Sequence, residues 1–161
     1  MNEQLLNPIQ AIQTLLAPAL GISAVGLLLL ALNNRYSVII NRIRLLNEER
    51  RKLLRMLQKQ ETLEYADNQR FMSITHQTEG LLERSRLVRN AILSLQTGIG
   101  LFVVSSVTIG ITLFTPPGWF TMAPFFVFVL GMLGVLVGII FAAAEVRRSF
   151  KIVLLEVKAD E

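Results

Sequence analysis

The sequence predicts an all-α integral membrane protein, with three transmembrane helices and a long cytoplasmic antiparallel helical hairpin between the first and the second. Three observations predict it. The 161 residues are 52% hydrophobic with a mean hydropathy of +0.50, more apolar surface than one soluble domain of that length buries. Three uncharged stretches, about Ile12 to Leu32, Leu93 to Phe114 and Phe120 to Ala144, each supply the roughly 20 apolar residues that cross a hydrocarbon core about 30 Å thick. Between the first two, over residues 33–92, apolar positions recur every three or four residues within a segment dense in charge, the pattern of a packed helix in water.

The first stretch follows "MNEQLLNPIQ", which carries Glu3 and no Lys or Arg, and it exceeds the length of a signal-peptide core; it is expected to remain as a span. Ala17, Gly21 and Ala24 place small residues along it, beside an expected kink at Pro18.

From Tyr36 the series Tyr36, Ile39, Ile43, Leu46, Arg50, Leu53, Leu57 and Gln60 continues the helix, and no Gly or Pro interrupts the chain before Gly80. A second series, Phe71, Ile74, Thr78, Leu81, Ser85, Val88, Ile92 and Leu95, leads into the second span. Facing seams form a coiled-coil-like hairpin that projects about 40 Å if about 28 residues run straight. Asp67-Asn68 is the best turn signal between them, with "THQTEG" as the alternative. Arg50, Thr78 and Ser85 interrupt the seams, and the pattern is compatible with packing on itself or on another protomer.

In the second span Thr97, Ser105, Thr108 and Thr112 share a face. Their hydroxyls either bond a carbonyl one turn back or a neighbouring helix, or line a path at the centre of an oligomer. In the third span Gly131, Gly134, Gly138 and Ala142 fall at intervals of three, four and four, a small-residue surface for close helix packing within one protomer or between copies. Residues 115–119, Thr-Pro-Pro-Gly-Trp, make a short outer turn, with Trp119 at the interface.

Of the 16 Lys and Arg, 12 lie between Arg35 and Arg89, and the other four follow the third span in the tail, residues 145–161. Basic residues near span ends stay on the cytoplasmic side, which predicts the N-terminus outside and the C-terminus inside. The same clustering beside apolar runs makes the basic balance a mark of topology, and no nucleic-acid partner is expected. With no cysteine and one histidine, His76, read as a surface helix residue, thiolate chemistry is excluded and no metal or cofactor site is expected. The acids of the arm read as solvated ion-pair partners, and no nucleophile–base pair or phosphate loop is visible, so no enzyme is expected. Arg35, Arg42 and Arg44 are placed for contact with lipid headgroups or a partner, while Arg50-Arg51-Lys52 lies farther from the membrane. Glu145 is expected to form an interfacial ion pair with Arg148, three residues on.

The passage "LLLLALNNRYSVIINRIRLLNEE" carries Asn33-Asn34-Arg35 at the end of the first span and Arg42-Ile43-Arg44 seven residues on. With a basic helical arm and a closing pair of spans, it resembles an uncharacterised family of small three-span bacterial inner-membrane proteins, a domain-of-unknown-function family. Val38 and Asn41 stand where that pattern often has a basic and an acidic residue. The resemblance implies location and architecture, treating residues 1–161 as one membrane domain, and implies no activity. The expectation is a non-enzymatic membrane protein that self-associates or docks a partner through its arm; a homo-oligomeric channel lined by the second span is the alternative.

Overall fold

A proline at the first position of a helix has no N–H to leave unpaired, and its φ is already helical. Pro8 opens α1 (Pro8–Leu57) in the computed structural model, which describes residues 8–57, 65–112 and 122–159, with side chains over 12–56, 69–112 and 122–148. α2 (Tyr65–Thr112) and α3 (Ala123–Ala159) follow, and no strand occurs among the described residues. Pro124 uses the same device at the second position of α3. α1 continues through Pro18, which is buried. All three helices are long and apolar enough to cross a membrane, by length and composition.

The turn is not where the sequence placed it. Asp67 and Asn68 lie in the first turn of α2, and Thr75 to Gly80 is helical as well; residues 58–64 lie outside the described residues. The physical reason is that Asp and Asn are favoured at helix N-termini as well as in turns, so their presence alone does not tell the two apart. The ends of the second and third expected spans, Leu113, Phe114, Phe120 and Thr121, and the outer turn 115–119 also lie outside the described residues.

The chain divides into two compact units: Met1–Leu32 with Asn90–Phe141, and Asn33–Arg89 with Ala142–Glu161. In the first, large apolar residues lie both inside and outside, and glycines open the hollows that the inner ones fill. Val25, Leu32, Ala91, Ile92, Leu95 and Phe102 are buried, whereas Leu20, Leu27, Phe125, Phe126 and Leu130 are exposed. Lipid tails are as apolar as leucine, so the outward-facing large side chains lose nothing there, and helix association relies on close packing. Gly98, Gly131 and Gly138 are the places where this happens. A Cβ on Gly98 would stand 2.8 Å from Val135 Cγ2 and 3.1 Å from the Gly131 carbonyl oxygen, and one on Gly138 would stand 2.7 Å from Leu95 Cγ. The Phe102 ring fills the hollow left by Gly21 and Gly131, and lies 5.2 Å from the Phe128 ring, tilted by 33°.

In the second unit the seams are the buried faces. Ile39, Ile43 and Leu46 of α1 and Ile74, Ser85 and Val88 of α2 are buried. Arg70 bonds Glu49, and Arg35 and Arg84 bond one carboxylate, so residue numbers rise along α1 as they fall along α2. The polar interruptions are satisfied locally: the Thr78 hydroxyl donates to the Ile74 carbonyl at 2.7 Å and the Ser85 hydroxyl to that of Leu82 at 2.9 Å. The Arg50 guanidinium lies 5.2 Å from the centroid of the Phe71 ring, an exposed cation–π contact.

Candidate functional site

A charged group at the end of an apolar run is costly to bury unless it is paired and hydrogen-bonded. Glu145 directly follows the apolar stretch of α3 and is 1% exposed. Its two oxygens are divided between two helices. Arg35 Nη1 of α1 donates to Oε2 at 3.1 Å, while Arg84 of α2 donates to Oε1 from Nε at 3.2 Å and from Nη2 at 2.9 Å. Three segments distant in sequence thus meet at one carboxylate.

The expected pair with Arg148 is corrected by these partners. The Arg148 Nη1 instead reaches Glu83 at 3.1 Å, with both side chains more than half exposed. The i, i+3 rule considers only a helix's own surface, and Glu145 turns inward, toward the arginines of α1 and α2. Sequence reasoning missed Arg84 altogether. The available signal was that an acid placed where an apolar run ends must find a cation, but nothing in the spacing says which one.

The structure separates the three arginines read as headgroup contacts. Arg35 belongs to the carboxylate cluster with its side chain 52% exposed, whereas Arg42 and Arg44 are exposed and make no ion pair among the described residues. Asn33 and Asn34 are exposed as well.

The hydroxyl face resolves into two kinds of residue. Thr97 donates to Leu93 at 2.9 Å, Thr108 to Val104 at 2.7 Å and Thr112 to Ile109 at 2.7 Å, all carbonyls of their own helix. Ser105 is fully buried and donates across to the Pro124 carbonyl of α3 at 3.0 Å. Gly131, Gly134 and Gly138 face α2, where Gly98, with Leu95 and Phe102, supplies a counter-surface that sequence reasoning did not identify. Ala142 is half-buried and belongs to the second unit. His76 is exposed on α2. Among the described residues, no group of three or more His, Asp or Glu could hold a metal ion.

Three apolar helices, one of them packed through glycines, with charge concentrated past their apolar stretches, define a multi-pass helical membrane protein. The chain belongs to the family described as "Protein of unknown function (DUF2721)", which matches residues 15–154. No curated protein and no solved structure matches it.

Proposed function

We propose that the chain is a non-enzymatic protein of the bacterial inner membrane, with its N-terminus outside and its C-terminus cytoplasmic, whose residues 33–92 form a cytoplasmic helical hairpin that self-associates or docks a protein partner. The observation that carries this reading is the outer surface of the arm. Its inner seam is consumed by packing of α1 on α2, yet Val38, Leu45, Leu54, Met56, Met72 and Leu82 remain exposed. They stand among Arg42, Arg44, Arg50, Arg51 and Arg55, in a segment too charged to lie in hydrocarbon, so lipid tails are not there to cover them. Val38 and Leu45 are seven residues apart, two helical turns, and so share one stripe.

The absence of cysteine makes the test clean, because Val38→Cys or Leu45→Cys introduces the sole thiol. Full-length protein in mild detergent is expected to show a multiple of the 18.1 kDa chain mass, and the single thiols are expected to crosslink copies or capture a partner. A strictly monomeric mass with no crosslink from either position would sink the reading.

For the alternative, a homo-oligomeric channel lined by α2, the hydroxyls provide little support. Thr97, Thr108 and Thr112 are already bonded to their own helix and Ser105 to α3, which accounts for them without a water path.

A further inference from the structure

One carboxylate cannot balance two guanidiniums. Glu145 bonds both Arg35 and Arg84, so the cluster keeps one net positive charge, and two like charges are held together by a single anion. Each guanidinium has five N–H donors; Arg35 spends one on Glu145 and Arg84 two, which leaves donors on both for a second acceptor. Both side chains are reachable, at 52% and 30% exposed, while Glu145 itself is covered. Arg86, Arg89 and Arg147 are exposed and make no ion pair among the described residues, and Glu83 is engaged by Arg148. Among the described residues, Glu145 is the one carboxylate that either guanidinium bonds.

We propose that Arg35 and Arg84, held in place by Glu145, bind the headgroup phosphate of an anionic phospholipid. The planar guanidinium fork matches phosphate oxygens, and two forks anchored on one carboxylate are already ordered before the ligand arrives. Depth selects the lipid. Arg35 lies three residues past Leu32, where the first apolar run ends, about 4 to 5 Å along the helix, and the headgroup layer is about 5 to 7 Å thick on each side. Glu145 immediately follows the third run at Ala144. At that level phosphate is the abundant anion. A zwitterionic headgroup would bring an ammonium toward the excess positive charge of the cluster itself, whereas an anionic one brings none. The proposal rests on insertion of the apolar runs and not on self-association; a monomer binds lipid equally well.

The experiment is native mass spectrometry of the full-length protein released from mild detergent, offered phosphatidylglycerol, phosphatidylcholine or inorganic phosphate. Phosphatidylglycerol is expected to be retained about tenfold better than phosphatidylcholine, and Arg35→Gln or Arg84→Gln to reduce that preference about three- to tenfold, as loss of one solvent-accessible hydrogen bond does. Glu145→Gln keeps a side-chain oxygen that can still accept from a guanidinium while removing the competing anion, and is expected to raise the preference, a sign that a purely structural role does not produce. Arg51→Gln, elsewhere on the arm, is expected to leave it unchanged. If Glu145→Gln does not fold, Arg35→Lys decides, since it keeps the charge, loses the fork and is expected to fall between wild type and Arg35→Gln. Equal retention of both lipids by the wild type, a loss in Glu145→Gln matching that of the arginine variants, Arg35→Lys equal to wild type, or displacement of the lipid by inorganic phosphate would each overturn the assignment.

Discussion

Gly134 of α3 faces Gly98 of α2 with no side chain between them: a Cβ on Gly134 would stand 3.5 Å from the Gly98 Cα, 3.5 Å from its nitrogen and 3.5 Å from the Ser94 carbonyl oxygen. These are ordinary van der Waals distances, so a methyl group fits at Gly134. Gly98 is different, because its Cβ would meet the Gly131 carbonyl oxygen at 3.1 Å and the Val135 nitrogen at 3.3 Å, backbone atoms that yield only if the helices part. Gly134→Ala is therefore expected to be neutral or mildly stabilising, and Gly98→Ala to cost about 1 to 3 kcal/mol, the range for overpacking a closed contact. Melting temperatures of both variants in one detergent check the contrast; equal effects would mean that the two faces do not meet this way.

The Glu145 cluster predicts an asymmetry between its two arginines. Arg84 makes two bonds to the carboxylate from a side chain 30% exposed, and its loss is expected to cost about 1 to 2 kcal/mol. Arg35 makes one bond from a side chain 52% exposed, where solvent screens the pair, and Arg35→Ala is expected to cost less than about 1 kcal/mol. Glu145→Ala releases both and leaves two guanidiniums facing each other, for about 2 to 3 kcal/mol. Thermal unfolding of the three variants ranks them; a larger loss for Arg35 than for Arg84 would contradict the geometry.

Ser105 and Thr97 carry the same chemical group in different circumstances. The Ser105 hydroxyl is fully buried and joins α2 to the Pro124 carbonyl, so Ser105→Ala is expected to lower stability by about 0.5 to 1.5 kcal/mol. The Thr97 hydroxyl only folds back on the Leu93 carbonyl at an exposed position, so Thr97→Val is expected to stay within about 0.5 kcal/mol of wild type. The same melting experiment separates them.

Features set by local periodicity were legible in the sequence, and features set by contact between distant segments were not. The seams of the arm could be read because burial repeats every three or four residues: Ile39, Ile43 and Leu46 on one helix, Ile74 and Val88 on the other. The apolar runs were legible for the same reason, since hydropathy sums over neighbours. Arg35 and Arg84 lie 110 and 61 residues from Glu145, and no spacing rule joins one arginine among many to one acid at that range. Gly98 was missed because small-residue motifs are recognised as repeats along one helix, whereas the counter-face of Gly131 and Gly138 is built from Phe102 and Leu95, large residues that only the packed structure shows to be opposite glycine. Asp67-Asn68 was misread because the residues that suit a turn also suit a helix start.

The outer stripe of the arm offers the sharpest separation of folding from association. Val38 and Leu45 are 69% and 60% exposed, so replacing them with serine removes no buried contact and is expected to change stability by no more than about 0.5 kcal/mol. Ile43, between them in sequence, is buried in the seam, and Ile43→Ala is expected to cost about 2 to 5 kcal/mol through the cavity it leaves. If the arm associates through its outer stripe, the double variant Val38→Ser/Leu45→Ser keeps the wild-type melting temperature while its mass in mild detergent falls to that of a single chain. If association instead runs through the apolar helices of the first unit, the double variant keeps both its melting temperature and its mass. A loss of stability in the double variant comparable to that of Ile43→Ala would show that Val38 and Leu45 are covered within the chain, and would remove the surface on which the docking reading stands.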